Sequence, residues 1–373
     1  MGQARVLRLS DVFVSIEDPR QSFKVEYDLV EMLVVAVSAV LVGADTFVEI
    51  EEWANEKLEW LRQYMPLKNG IASHDTFGRL FGLIDPRQFE ASFRRWAASL
   101  VPALGKEIVA IDGKTSRRTG GVDATALHLV SAFAAGVGLV LGQRETAEKS
   151  NEKTAIPELL AVLALKGCTV TIDAMGTQST IAEVIRSRGA DYVLAVKDNQ
   201  PRLAESMRDF WTSFQRYPEH TPHRFAESVE KNHGRLETRR CYVFDQLECL
   251  DRPEQWPDLK SFAVVESLRE VDGKVTEERR FYISSLSPDA ERIATAIRSH
   301  WAVENRLHWC MDIAFQDDQM RVRTGHAAHN LAVMKHITLN LIRMAPKRKG
   351  GIKVRRLIAA TSDTYRAELL GFI

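Results

Sequence analysis

Two short apolar runs, each rich in β-branched residues and each ended by an aspartate, constrain the fold of this chain more than any other feature. They cover residues 109–112 and 170–173, and they end in Asp112 and Asp173. Runs of this kind are typical of buried strands. An unpaired carboxylate at the end of a buried strand is costly, so we expect both aspartates to have a chemical task.

The order of the elements around these runs predicts a mixed sheet. Three strands are followed by a helix, a strand, a second helix and a further strand. The predicted strands are 108–111, 126–134, 138–143, 168–172 and 192–196, and the predicted helices are 156–165 and 179–188. This order is typical of an RNase H-like α/β layer. Its first and fourth strands are neighbours, so Asp112 and Asp173, each at the C-terminal end of its strand, are predicted to lie side by side.

A third acid, Glu304, lies on a predicted helix. Apolar residues spaced by three or four form one helix face with Glu304 at its centre. The members of this face are Ile293, Ile297, Trp301, Glu304, His308, Met311 and Phe315. Taken singly, Glu304 could pair with an arginine, Asp112 could be a turn residue and Asp173 could cap a helix. Three acids brought together repel one another, so as a set they predict a divalent metal site for phosphoryl chemistry.

Two rival sets of metal ligands stay open at this point. His300, Glu304 and His308 have a spacing at which they could bind zinc in a metallohydrolase, although this leaves both aspartates unexplained. Asp312 could replace Glu304 as the third carboxylate.

Composition limits the class of protein. The chain has 373 residues, with 50 Lys and Arg against 50 Asp and Glu, which argues against a basic coat over the whole surface. The four cysteines lack CxxC spacing and predict reduced thiols in a cytoplasmic protein. The apolar run at residues 32–44 is shorter than the roughly 20 residues of a membrane helix and predicts a core helix.

The pattern of elements predicts five parts. Residues 1–103 form a helical N-terminal domain, and 104–200 form the first part of a catalytic core. Residues 201–285 form a β-rich insertion, with a hairpin turn at Asp272-Gly273. Residues 286–345 complete the core with the helix of Glu304. Residues 346–373 form a basic tail, in which the 347–356 run is a solvated linker or an arm that contacts phosphates.

Five ordered motifs resemble those of the DDE transposases of bacterial insertion sequences, in the branch of the H-repeat-associated proteins. They cover residues 111–118, 172–178, 196–200, 233–239 and 300–309. The resemblance extends over nearly the whole chain. It implies an RNase H-like core with a β insertion before the glutamate, in which Asp112, Asp173 and Glu304 are the catalytic residues and the ligands of Mg²⁺ (or Mn²⁺).

The resemblance also implies partners. They are double-stranded DNA, both element ends and target, and further copies of the chain in a homo-oligomer on DNA. The N-terminal domain is expected to recognise the ends. Basic and polar residues near the acids suit a phosphodiester backbone. The predicted DNA-binding residues are Lys114, Arg117, Arg118, Lys197, Asn199, Arg235, Arg298, His300, Asn305 and Arg306.

The chain departs from the family pattern at three positions. Better-studied relatives carry Tyr, Arg and Lys around the glutamate, where this sequence has Ile297, His300 and Met311. The roles of the Tyr, Arg and Lys side chains in gripping the element end or handling a hairpin intermediate are therefore not carried over to these three positions. Two other functions stay open: an RNase H-like nuclease that cuts DNA without joining it, and an inactive copy that only binds DNA.

Overall fold

A computed structural model describes residues 6–101, 104–120, 125–146, 151–232, 235–345 and 348–373. Within these ranges the chain forms one nine-stranded sheet with the order β3-β2-β1-β4-β5-β9-β8-β7-β6. The strands are β1 (Ile108–Ser116), β2 (Leu127–Ala134), β3 (Leu139–Thr146), β4 (Thr169–Ile172), β5 (Asp191–Val196), β6 (Arg224–Asn232), β7 (Arg235–Phe244), β8 (Ser261–Val271) and β9 (Lys274–Ser284).

Helices cover both faces of this sheet, because side chains of successive strand residues point to opposite faces and both sets are apolar. The helices are α1 (Leu9–Phe13), α2 (Leu29–Val42), α3 (Phe47–Glu56), α4 (Leu58–Leu61), α5 (His74–Leu83), α6 (Pro86–Leu100), α7 (Glu152–Ala161), α8 (Ser179–Ser187), α9 (Pro201–Arg216), α10 (Ala290–Ala302), α11 (Trp309–Phe315), α12 (Ala327–Met344), α13 (Ile352–Thr361) and α14 (Asp363–Leu370).

The first five strands confirm the predicted RNase H-like arrangement. β1, β4 and β5 are parallel, β2 pairs antiparallel with β1, and β3 pairs antiparallel with β2. One detail of the prediction is wrong. β1 does not end at Ile111 but runs on to Ser116, because β2 pairs with it as far as Ser116 after β4 has ended. Asp112 therefore lies within β1, at the point where its pairing with β4 stops.

The N-terminal helices begin and end at the predicted signals. Gly43, with a φ of 128°, follows α2. The Ser73 side chain accepts a hydrogen bond from the backbone N–H of Thr76 at the start of α5, and Asp85 precedes Pro86 at the start of α6. The apolar run at 32–44 lies in α2, which is mostly buried. Among the described residues no single helix meets the length and hydropathy of a membrane span; α2 and α3 meet them only together, with a 95° bend between them.

α12 joins the helical region to the sheet. It packs against α2, α5 and α6 on one side and against β3 on the other, so the N-terminal helices and part of the sheet share one hydrophobic core. This helix has the bounds that the sequence predicts. Pro157, expected in the first turn of its helix, instead lies inside α7 because α7 begins earlier, at Glu152. The four cysteines are free, as predicted.

The C-terminal region is not the basic tail that the sequence predicts. Residues 352–370 form α13 and α14, and α13 packs against α2 and α12. Arg356 is only 5% exposed and donates hydrogen bonds to the carbonyl oxygens of Ala314 and Val40. This arginine is therefore structural, whereas Arg348 and Lys349 are exposed. Lys347 lies outside the described residues.

The insertion contains β-strands, as predicted, but begins with α9. β6 to β9 form an antiparallel meander, and β9 pairs with β5 of the core. The insertion is therefore a continuation of the core sheet. Asp272 and Gly273 both have positive φ, at 50° and 75°, as a tight hairpin turn requires. His233 and Gly234, from one of the five motifs, lie outside the described residues.

Candidate active site

Asp112 and Asp173 lie at matching positions on neighbouring strands. Ile111 of β1 pairs with Ile172 of β4, and the two aspartates follow this last pair. Paired strands lie about 4.8 Å apart, so the two carboxylates leave one sheet edge next to each other. Asp173 also caps the short 3₁₀ turn Ala174–Gly176. One of its oxygens, Oδ1, accepts the N–H groups of Met175 (3.1 Å) and Gly176 (3.2 Å), which orients the carboxylate.

The surroundings of Asp112 disfavour its charge. Its Oδ1 accepts the N–H of Gly113 (2.9 Å), which favours the charged form but is outweighed, and Nδ1 of His308 lies 3.4 Å from its Oδ2. Burial raises the pKa of Asp112 to about 7, and the nearby charge of Asp173 adds to the rise. Asp112 and Gly113 do not form a turn, the alternative that the sequence left open for Asp112, because β1 continues through both residues.

Gly113 is required by close packing. A Cβ at this position would lie 2.3 Å from Oε1 of Glu152 and 2.6 Å from Nε2 of His128. These two side chains are buried and hydrogen-bonded to each other at 2.7 Å. The backbone beside Asp112 therefore rests on a buried His–Glu pair, which only glycine allows.

Glu304 is placed differently from the prediction. The helix is not regular: α10 ends at Ala302, the six residues Val303–His308 form a π-helical turn, and α11 follows directly. Val303 and Leu307 are buried and Glu304 is exposed, so the predicted apolar stripe does not contain the glutamate. Partial burial still raises the pKa of Glu304, Arg280 opposes the rise, and Asp173 adds to it. A π-helical turn of this kind frequently marks a functional site.

Asp173 and Glu304 line the same cavity of about 210 Å³ between the sheet and α10. Asp112 is outside its lining, on the β1 side. Charged and aromatic side chains complete the wall: Lys197, Arg280, His300 and Trp301. Arg280 of β9 has its guanidinium carbon 4.7 Å from the centre of the Trp301 ring. Sequence reasoning missed Arg280, since its place beside the site depends on the pairing of β9 with β5, for which the sequence contains no local signal.

We call Asp112, Asp173 and Glu304 the site acids. No lysine or arginine forms an ion pair within 4.0 Å of any of them in the part of the chain that the structure describes. Three carboxylates with no lysine or arginine at ion-pair distance are a donor set that suits a hard divalent cation such as Mg²⁺. Their present arrangement is open, however: no group of three or more His, Cys, Asp or Glu among the described residues is arranged to hold a metal.

A second group of acids, which we call the lysine-paired acids, lies next to the site. It comprises Asp312, Asp317 and Asp318. Nζ of Lys114 is 2.6 Å from Asp312, 3.1 Å from Asp318 and 3.6 Å from Asp317. Nζ of the fully buried Lys335 is 3.2 Å from Asp317. Because Asp312 is held by Lys114, the structure favours Glu304 over Asp312 as the third site acid.

The zinc alternative is not supported by the geometry. Nδ1 of His300 is 3.0 Å from Oγ1 of Thr171 on β4, whereas His308 faces Asp112 on β1. The π-helical turn between them removes the regular helical spacing on which this alternative depended. Burial lowers the pKa of His300, and lowers that of His308 to about 3; neutral imidazole is also the form that binds zinc, so only the geometry opposes this alternative.

The predicted DNA-binding residues fall into two sets. Some are exposed and have no carboxylate within 3.5 Å: Arg117, Arg118, Lys197 and Asn305. The others have partners inside the protein: Lys114 with the lysine-paired acids, Arg235 with Glu237, Arg298 with Glu230, His300 with Thr171, Asn199 with the carbonyl of Ala174, and Arg306 with the carbonyl of Ala135. DNA contacts by either set stay a prediction, and the exposed set needs no rearrangement to make them.

Comparison with known proteins identifies the class. The family model described as "Transposase DDE domain" matches residues 103–341, and the one described as "DDE_Tnp_1-associated" matches residues 10–97. The chain therefore belongs to the DDE transposase family.

Individual relatives extend this match over the full length. The H repeat-associated protein YhhI of Escherichia coli (strain K12) is 39% identical over 370 residues, covering 95% of each chain. YncI of Escherichia coli O157:H7 is 40% identical, covering 97% of this chain and 94% of its own. A solved piggyBac transposase synaptic complex with hairpin DNA aligns with 98% of this chain and 78% of that chain, at 8% identity and a TM-score of 0.44, which is too low to carry an argument. The resemblance to the H-repeat-associated branch is confirmed.

Proposed function

We propose that the protein is a DNA transposase that cleaves DNA at the ends of an insertion sequence and joins the freed 3′-hydroxyl to target DNA. The observation that carries this proposal is the placement of the site acids. Asp112 and Asp173 follow a paired position on adjacent parallel strands, and Glu304 lies on the π-helical turn that packs beside β1. Membership of the DDE transposase family supports the same reaction class.

We further propose that the site acids hold Mg²⁺ or Mn²⁺. Their oxygen donors and the absence of a neighbouring lysine or arginine ion pair among the described residues support this choice. When bound, the metal supplies activation of a water or a 3′-hydroxyl and stabilisation of the leaving oxygen. Since the described side chains are not closed around a metal, we expect Glu304, the exposed member, to move toward the aspartates on binding.

The chain's own residues would position the DNA. Lys197 and Arg280 line the cavity of Asp173 and Glu304, and their cations would bind the phosphates that flank the cleaved bond. We assign end recognition to the helical N-terminal region. The protein would act in the cytoplasm, as a homo-oligomer that bridges two DNA ends.

The test is cleavage and joining of labelled DNA that carries the element's own ends. Wild type is compared with Glu304→Gln and Asp112→Asn, in Mg²⁺ and in EDTA. We expect nicking and a joined product in Mg²⁺ alone, and loss of both in each variant while DNA binding is retained. A matched control is Glu205→Gln, an exposed glutamate of α9 outside the cavity lining, whose loss should leave cleavage intact.

Other outcomes separate the alternatives. Metal-dependent nicking without any joined product would identify an RNase H-like nuclease. Binding of the ends without cleavage would identify an inactive copy. Full cleavage by Asp112→Asn would refute the assignment of the site acids.

A further inference from the structure

A surface groove lies between the N-terminal helices and the segment that follows the lysine-paired acids. It encloses about 640 Å³, between the starts of α3 and α5 and residues 316–324. Arg79, Arg321 and Arg323 line it. Arg118 adjoins it, because its carbonyl oxygen accepts a hydrogen bond from Nη2 of Arg323 at 3.2 Å, and Arg117 is next in the chain. We call these five residues the groove arginines.

The groove arginines are exposed and almost unpaired. Arg117, whose side chain is 81% exposed, has only Asp318 at 3.8 Å, and Arg79 donates only to the hydroxyl of Thr76. No ion pair with Arg118, Arg321 or Arg323 occurs within the described part of the chain. Their charges are therefore directed to solvent.

The acids of the groove are mostly occupied by the protein. Oε2 of Glu49 accepts the backbone N–H groups of Asp45 (2.6 Å) and Thr46 (3.0 Å) at the start of α3. Asp45 lies 3.5 Å from the buried Arg356. Asp75 remains exposed, 3.6 Å from His74. The lining holds three arginines and three acids, and Arg117 and Arg118 beside it bring the arginines to five, although the chain as a whole has no net charge.

The segment that carries Arg321 and Arg323 is held in place. It has no regular secondary structure, but its burial alternates: Met320 is buried and Val322 half-buried, whereas Arg321 and Arg323 are exposed. Beyond it, Gly325 packs against α5: a Cβ there would lie 2.5 Å from the carbonyl oxygen of Gly82. Two exposed arginines on a segment anchored by buried apolar residues form a surface that could bind anions.

The distance between Asp112 and Arg117 can be compared with the spacing of phosphates in DNA. Arg117 is five residues beyond Asp112 and directly follows the end of β1 at Ser116, so its Cα lies at most about 17 Å from that of Asp112 at the rise of a strand. Phosphates of one DNA strand are spaced by about 3.4 Å along the helix axis, so 17 Å corresponds to about five nucleotides.

We propose that the groove arginines bind the phosphodiester backbone of duplex DNA about five nucleotides from the bond that the site acids cleave. This inference rests on the proposed function and adds the path of the DNA, which leads from the sheet edge toward the N-terminal helices. Arg79, Arg321 and Arg323, which the sequence did not single out, are its new contacts.

The first test measures binding to a fluorescein-labelled 30-base-pair duplex of mixed sequence over a range of salt concentrations. Each lost phosphate contact lowers the slope of log K against log salt by about 0.9. Arg321→Gln/Arg323→Gln is therefore expected to lower the slope by about 1.8. The matched control is Arg216→Gln/Arg224→Gln, which removes the same charge from two exposed arginines outside the groove and is expected to leave the slope unchanged.

The results separate this inference from the function on which it rests. An unchanged slope in the groove variant, or an equal loss in the control, overturns the inference and leaves the transposase proposal standing. Absence of any duplex binding by wild type overturns the proposed function and the inference with it. All four substituted residues are exposed, so folding should be unaffected, and a thermal melt of each variant checks this.

The second test locates the contact. Single neutral methylphosphonates are placed at successive positions from the cleaved bond in a duplex that carries the element end. We expect substitution four to six nucleotides away to weaken binding of wild type but not of Arg321→Gln/Arg323→Gln. Equal weakening of both proteins at those positions would overturn the inference.

Discussion

The site acids and the lysine-paired acids are two groups of three carboxylates within one small region, and they differ in their counter-charges. Asp312, Asp317 and Asp318 surround Lys114, and Lys335 adds a second cation. The site acids have the neutral His308 as their nearest basic group, 3.4 Å from Asp112. The lysine-paired acids are matched by cations within the protein, whereas the site acids leave a negative charge to be matched from outside.

The pKa shifts of one member of each group express this difference. Burial would raise the pKa of Asp317, but Lys335 and Lys114 outweigh it and lower the pKa to about 2. For Asp112, burial and the charge of Asp173 act in the same direction and raise the pKa to about 7. Burial alone therefore does not distinguish a structural acid from a candidate metal ligand; the number of neighbouring cations does.

The largest expected effect comes from breaking the neutralised group. Lys335→Met leaves Asp317 buried without its closest cation, and removing one partner of a buried pair costs about 3–5 kcal/mol. We expect a loss of this size in the free energy of unfolding, measured by urea denaturation at pH 7. Lys349→Met, at an exposed position, is the control. A loss below about 1 kcal/mol would show that the two groups do not differ as described.

The second largest effect is an increase in the free energy of unfolding. Asp112 has a folded pKa of about 7 and an unfolded value near 3.8, so the folded state binds more protons between these pH values and its stability falls as pH rises from about 4 to 7. Asp112→Asn removes this fall, and we expect it to raise the free energy of unfolding by about 1–3 kcal/mol at pH 8 in EDTA.

Two conditions sharpen this second prediction. The gain should disappear below about pH 3, where the aspartate of the wild type is largely protonated in both the folded and the unfolded state. Saturating Mg²⁺ should stabilise the wild type more than the variant, since a ligand that binds only the folded state adds to its stability. Destabilisation by Asp112→Asn at pH 8 in EDTA would contradict the proposed crowding of charge.

The smallest effect is expected at the edge of the lysine-paired group. Arg117 is 3.8 Å from Asp318 and mostly exposed, and surface pairs of this kind contribute about 0–0.5 kcal/mol. Arg117→Gln should leave the urea midpoint unchanged within error. A loss comparable to that of Lys335→Met would show that Arg117 belongs to the buried network.

The arrangement of the central strands could be predicted from the sequence because each signal is local. Apolar runs end at Asp112 and Asp173, helices begin at caps such as Ser73, and Asp272-Gly273 supplies a turn. The matching positions of the two aspartates then followed from the order of the elements.

The rest of the site depends on contacts between distant parts of the chain. Lys114 was predicted to contact DNA, yet its partners lie about 200 positions away, and no spacing rule connects them. The π-helical turn at Glu304 adds one residue per turn to an otherwise regular helix, and the apolar spacing on either side conceals it. Arg280 came beside the site only because β9 pairs with β5.

The pairing of β9 with β5 has a mechanical consequence. An accessory domain on a flexible tether can swing without disturbing the rest of an enzyme, but here the backbone hydrogen bonds run without interruption from β6 to β4. A force on the outer hairpins would be transmitted through these bonds across the sheet to β4, which Asp173 directly follows. The insertion is therefore joined rigidly to the core sheet, and we expect any bending of it to displace the carboxylate of Asp173.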